Sequence, residues 1–200
     1  MQRSQSTVTI GAGVWRGRVL AYPAGPGIRP SMQRTRSSMF SSLGARLTDA
    51  VFADLFAGGG VVGIEALSRG AARAHFVERT PAAVAAIRAN LRACGVGADR
   101  ATVHAATVAA VLDADPCPIS DATIVFADPP YDVDANAEIL HRFRTRTFPR
   151  LEWVIVEHRA RAALTPPAGW VLSRERRFGD TVLSYLAPEG DSGAREGGTP

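Results

Sequence analysis

A continuous apolar run from Ala122 to Ala127 stops at Asp128-Pro129-Pro130-Tyr131. Two consecutive prolines fix the backbone and remove two N–H donors, so acceptor oxygens collect at the end of that run. Such a group of acceptors suits a planar amino group, whose lone pair is delocalised and whose nitrogen is therefore a poor nucleophile. Asp128 and the Pro129 carbonyl can accept its two N–H bonds, orient the nitrogen and stabilise positive charge as it forms. Tyr131 can stack on the ring that carries the amine, a contact worth about 1 to 3 kcal/mol in single-strand binders. A plain Asp-Pro turn needs neither the second proline nor the aromatic residue. Asp128, Pro129, Pro130 and Tyr131 are the candidate catalytic residues.

A second constellation lies upstream, where Asp54-Leu55-Phe56-Ala57 leads into Gly58-Gly59-Gly60-Val61-Val62-Gly63. Glycines at this spacing let a strand-to-helix turn tighten and approach a ligand closely. Glu78 follows twenty residues after Gly58, where a strand-end carboxylate can accept hydrogen bonds from both ribose hydroxyls of an adenosyl ligand. By itself this pattern permits a dinucleotide. Asp54 shifts the balance, because a pyrophosphate tolerates a neighbouring carboxylate poorly, whereas the sulfonium and amino groups of S-adenosylmethionine are cations. The expected donor site comprises Asp54, Phe56, Ala57, Gly58, Gly60 and Glu78, with Asp128 shared. In-line methyl transfer to an amine requires no metal, and His75, His104, His141 and His158 lack ligand spacing.

Strand-like and helix-like segments alternate so as to position these residues. Val51 to Phe56, Ala74 to Glu78, Ala101 to His104, Ala122 to Ala127 and Trp153 to Glu157 read as strands. Val61 to Arg69, Pro81 to Cys94, Thr107 to Leu112 and about Ala135 to Arg146 read as helices. This is the rhythm of an α/β fold with a mostly parallel sheet covered on both faces. Thr80-Pro81 marks a helix N-cap and first position. Val171 to Phe178 and Thr181 to Leu186, joined by Gly179-Asp180, predict a closing antiparallel hairpin. Ahead of the sheet, Thr7 to Tyr22 predicts a small β-hairpin, and Met39, Phe40, Leu43 and Leu47 form the apolar stripe of a helix from Met32, with Arg34 and Arg36 off that stripe. The expected organisation is a basic extension over 1–48 packed on a main domain over 49–187, with a disordered tail over 188–200.

The net charge of +4 is unevenly placed: no Asp or Glu precedes Asp49, while Arg16, Arg18, Arg29, Arg34 and Arg36 all lie there. A one-signed segment of this kind favours a polyanion. Cys94 and Cys117 form no Cys-x-x-Cys pair, and the apolar runs are broken before a bilayer could be crossed, so a reduced cytoplasmic setting and no membrane are expected. A monomer is expected.

On these residues the chain resembles the bacterial 16S rRNA (guanine-N2)-methyltransferases from about Ile10 to Leu186. The resemblance is carried by Gly13-x-Trp15-Arg16-Gly17-Arg18, Gly27-Ile28-Arg29-Pro30, Arg34-x-Arg36 leading to Phe40, the Asp54 to Ala66 loop, Leu67-Ser68-Arg69-Gly70-Ala71, Phe76-Val77-Glu78, Asp128-Pro129-Pro130-Tyr131 and Gly179-Asp180-Thr181. It implies a class I methyltransferase (Rossmann-like) fold with a seven-stranded sheet, an N-terminal extension that contacts RNA through Arg16, Arg18, Arg29, Arg34 and Arg36, and ribosomal RNA or a small-subunit particle as partner. It also implies a donor contact at Thr107, where the family often carries Asp or Asn near the adenine. Ser31, Gln33 and Ser37 replace the family's usual Thr, Asp and Glu, and Gly59 replaces its Ser. The Pro-Pro-Tyr chemistry also serves adenine-N6 or protein-glutamine methylation, in enzymes that more often carry Asn in place of Asp128. A nicotinamide oxidoreductase would explain the glycine loop but not Asp54 with Asp128, and a silent RNA-binding protein would have no use for Asp128.

Overall fold

The computed structural model describes residues 6–22, 30–130, 137, 139–143, 148–162 and 164–190. Two short strands, β1 (Ser6–Thr9) and β2 (Val19–Tyr22), pair antiparallel and are followed by α1 (Pro30–Leu43) and a 3-10 turn over Gly44–Leu47. The α/β part runs β3 (Val51–Leu55), α2 (Val61–Ser68), β4 (Arg73–Val77), α3 (Pro81–Ala93), β5 (Ala101–His104), α4 (Val108–Asp113) and β6 (Ile124–Ala127). Residues 139–143 are helical, within the expected Ala135 to Arg146 helix whose remainder lies largely outside the described residues. The last three strands are β7 (Trp153–Arg159), β8 (Trp170–Phe178) and β9 (Thr181–Pro188).

The large sheet has seven strands in the order β5-β4-β3-β6-β7-β9-β8. The strands β3 to β7 pair in parallel, and β9 lies antiparallel between β7 and β8. Every residue of β3 and β6 is buried, which is why both read as continuous apolar runs, broken only at Asp54, rather than as alternating ones. Their side chains, and those of β7, alternate between two cores. Phe52, Ile124, Phe126 and Ile155 face α1, α2 and α3. Ala53, Leu55, Val125 and Val154 face α4 and the 139–143 segment. From β3 the chain winds outward through β4 to β5, and from β6 it winds the other way to β7. A topological switch point therefore lies between β3 and β6, where open α/β sheets bind ligands beyond the carboxyl ends of their strands.

The N-terminal segment is part of the first core: Val8, Ile10 and Leu20 of the hairpin and Met39, Phe40 and Leu43 of α1 are all buried in it. A fully buried carboxylate on α2, Glu65, fixes the join. Its Oε2 accepts from the Gly11 backbone N–H at 3.2 Å and from Arg36 Nε at 2.8 Å, and its Oε1 accepts from Arg69 Nη2 at 2.7 Å. Arg36 also donates through Nη2 to the Thr9 carbonyl at 2.9 Å. Arg36 thus departs from the expectation that it faces solvent and RNA. It is three and four residues before Met39 and Phe40, so the helix carries it onto the apolar stripe, and the buried acid opposite compensates its charge.

Candidate active site

The register pairs Leu55 with Ala127, so the next residues of each chain, Phe56 and Asp128, emerge side by side at the switch point. Phe56 has φ of 60°, a left-handed conformation that a bulky side chain adopts only where its surroundings over-determine it. Beyond it the loop is held by the Ala57 N–H donating to the Val77 carbonyl at 3.0 Å and by the Gly60 N–H donating to the Ala57 carbonyl at 2.7 Å. Gly60, at φ 75°, is the N-cap of α2.

Two of the site's carboxylates are built into this loop by backbone donors. Asp54 is buried, and its Oδ2 accepts from the Gly63 N–H at 2.9 Å. Glu78, half-buried past the end of β4, accepts from the Gly58 N–H at 3.0 Å and, through its other oxygen, from the Thr80 N–H at 2.7 Å. Thr80 caps α3 without using its hydroxyl. Each Glu78 oxygen keeps acceptor capacity beyond that one bond. Burial pushes the Asp54 carboxyl up to about 8, against the Gly63 bond that lowers it, and Asp128 and Glu78 raise it further. Burial followed by Asp128, Asp54 and Glu78 likewise raises the Tyr22 phenol.

Two cavities meet here. The wider, about 460 Å³, is lined by Val77, Glu78, Ala106, Thr107, Val108 and Ile139. The narrower, about 60 Å³, lies beside Asp54, Ala57, Val61, Thr35 and Arg36. Tyr22, Phe56 and Asp128 line both. The wider cavity has the size and apolar walls of a small-molecule site. The three acids gathered at the junction, buried Asp54 beside Asp128 and Glu78, suit a ligand that brings positive charge there and disfavour one that brings a pyrophosphate. S-adenosylmethionine fits both features. Thr107 lines the wider cavity, and its hydroxyl caps α4 by accepting from the Ala110 N–H at 3.1 Å.

Of the catalytic tetrapeptide, Asp128 is half-buried at the junction, Pro129 is buried and Pro130 is exposed on the rim of the wider cavity. Tyr131 lies outside the described residues, as does Arg29. Arg16, Arg18 and Arg34 are exposed, and Arg18 donates to the Ala93 carbonyl at the end of α3.

A family model described as conserved hypothetical protein 95 matches residues 8–187. The chain belongs to this family. Its relatives include the ribosomal RNA small subunit methyltransferase D of Escherichia coli K12, 34% identical over 191 residues that span 94% of each chain. The protein of the same name from Haemophilus influenzae is 28% identical over 91% of this chain and 93% of its own. Among solved structures, Escherichia coli yhhF superposes with a TM-score of 0.80 at 30% identity, over 92% of this chain and 99% of that one. SMU.776, crystallised with SAH, shares the fold at a TM-score of 0.69 and 12% identity, over 93% of this chain and 57% of its own.

The structure adds functional candidates that spacing did not single out. Tyr22 reaches the junction from β2. Asn90, buried on α3, takes the Ala21 N–H at 2.9 Å and donates to the Ala21 carbonyl at 2.8 Å and the Gly59 carbonyl at 2.9 Å. A separate polar depression is lined by Ser38, Ser41, Ser42, Arg46, Arg174 and Arg176. No sequence pattern joins β8 to α1, and only the fold brings these arginines together.

Proposed function

We propose that this chain is an S-adenosylmethionine-dependent methyltransferase that modifies the exocyclic N2 of a guanine in small-subunit ribosomal RNA. The observation that carries the reading is the position of Asp128, at the junction of two cavities and beside a glycine loop whose backbone N–H groups hold Asp54 and Glu78 in place. Glu78 would hold the ribose hydroxyls, Thr107 and the apolar wall of the wider cavity the adenine, and Asp54 with the start of α2 the amino-acid end. The donor supplies its methyl group as an electrophile on sulfur.

The residues of this chain prepare the other reactant. Asp128 and the Pro129 carbonyl accept the two N–H bonds of the guanine amine, pointing the nitrogen at the junction. As the nitrogen gains its fourth bond it becomes positive, and Asp128 offsets that charge and receives the proton the nitrogen must lose. Tyr131 stacks on the base. Exposed Arg16, Arg18 and Arg34, with the Arg46, Arg174 and Arg176 depression, contact the phosphate backbone. The names of the curated relatives support ribosomal RNA as substrate.

The test is nucleoside mass spectrometry of small-subunit RNA incubated with donor and either wild type or Asp128→Ala. Wild type is expected to form N2-methylguanosine. Asp128→Ala is expected to lose about a hundred- to a thousandfold in turnover while still binding SAH. N6-methyladenosine in place of the guanosine product overturns the base assignment, and full turnover by the variant overturns the role of Asp128.

A further inference from the structure

Among the loop glycines, Gly58 and Gly60 have φ of 54° and 75°, so their backbone conformation accounts for glycine. Gly59 does not share that conformation, and an L-residue would suffer no backbone strain there. Space is what it lacks. A Cβ on Gly59 would lie 2.8 Å from Cδ2 of the Tyr22 ring and 3.2 Å from the Ala21 carbonyl oxygen. Tyr22 also passes over Gly58, its hydroxyl 3.1 Å from where a Cβ would stand. The strand that brings the ring there is anchored by Asn90, whose amide grips both backbone groups of Ala21 and the Gly59 carbonyl at once. Tyr22 then lines both cavities of the site.

Resting on the donor reading above, we propose that the Tyr22 ring is a wall of the donor site, that Gly59 lacks a side chain in order to admit it, and that Asn90 holds the two together. The N-terminal hairpin is thereby part of the donor pocket, in addition to any contact it makes with RNA. Tyr22 acts as a positioning residue: its ring closes the crevice over the glycine loop and keeps the bound donor in register with Asp128.

A double-mutant cycle tests this, with SAH affinity by calorimetry and the melting temperature of the ligand-free chain as two readouts. Gly59→Ala in the wild-type background is expected to weaken SAH binding about tenfold, within the range that overpacking produces, and to lower the melting temperature. In a Tyr22→Ala background the same Gly59→Ala change is expected to cost less than about twofold, because the obstructing ring is gone. Tyr22→Phe keeps the ring and is expected to retain SAH affinity. Equal penalties for Gly59→Ala in both backgrounds, in affinity and in melting temperature, overturn the proposal, as does unchanged SAH affinity in folded Tyr22→Ala. A wild type that takes no SAH overturns the donor reading and with it the role of Tyr22 as wall, while the melting cycle separately reports whether the two residues meet.

Discussion

The acidic crevice and the arginine-bearing surface differ in how their charges are held as well as in sign. Asp54 and Glu78 are fixed by backbone N–H groups of the very loop they serve, so their positions are set before any ligand arrives. Arg16 and Arg34 stand exposed on the hairpin and on α1, where long side chains can adapt to an irregular polyanion. Arg36, two residues from Arg34, belongs with the first group: it is buried and its partner is Glu65. An ionisable group that must act on small atoms is locked by the fold, and one that must follow a large partner is left at the surface.

The sharpest way to break this contrast is at Glu65. Glu65→Ala strands the Arg36 guanidinium in the core, and removing one partner of a buried pair costs about 3 to 5 kcal/mol. Urea denaturation should show that loss, with Glu65→Ala/Arg36→Met recovering part of it; an unmoved midpoint would mean that the pair locks nothing. Asp54 comes next. Its folded pKa, raised from 3.8 to about 8, means that the native state holds a proton the unfolded chain has released. The stability this provides is fully present below 3.8 and is lost as pH rises through 8. Melting temperatures of the ligand-free chain should therefore fall between pH 5 and 9, and Asp54→Asn should flatten the profile. A profile that rises with pH in wild type contradicts the protonated Asp54. Glu78→Ala should weaken SAH by about ten- to a hundredfold, the range for a lost hydrogen bond to a charged group, and calorimetry that finds the affinity intact places the ribose elsewhere. The smallest effect belongs to the surface: Arg16→Glu and Arg34→Glu should each lower the log–log salt slope of RNA binding by about one, leaving SAH affinity unaltered.

Much of the architecture was legible because its signals are local. The runs at Val51 to Phe56 and Ala122 to Ala127, the glycine loop and the Asp-Pro-Pro-Tyr turn each declare themselves within a dozen residues, and the fold aligns β3 and β6 so that Phe56 and Asp128 are neighbours. Arg36 was legible in principle. Its spacing to Met39, Phe40 and Leu43 places it on the apolar stripe, and Glu65 is the one acid in the otherwise uncharged α2. Tyr22 against Gly59 and Arg46 beside Arg174 and Arg176 were not legible. Those contacts join segments 37 or more residues apart, and no periodicity within either segment encodes the other.

The partners of the N-terminal hairpin lie well downstream: Gly11 is 54 residues from Glu65, and Ala21 is 69 residues from Asn90. During synthesis at roughly 5 to 20 residues per second, the arginine-rich hairpin leaves the ribosome several seconds before the helices that will seat it. Through that interval it is a cationic strand pair with an unfilled apolar underside. Docking must therefore wait for α2 and α3, although both helices emerge before the strands β5 to β9 that complete the sheet.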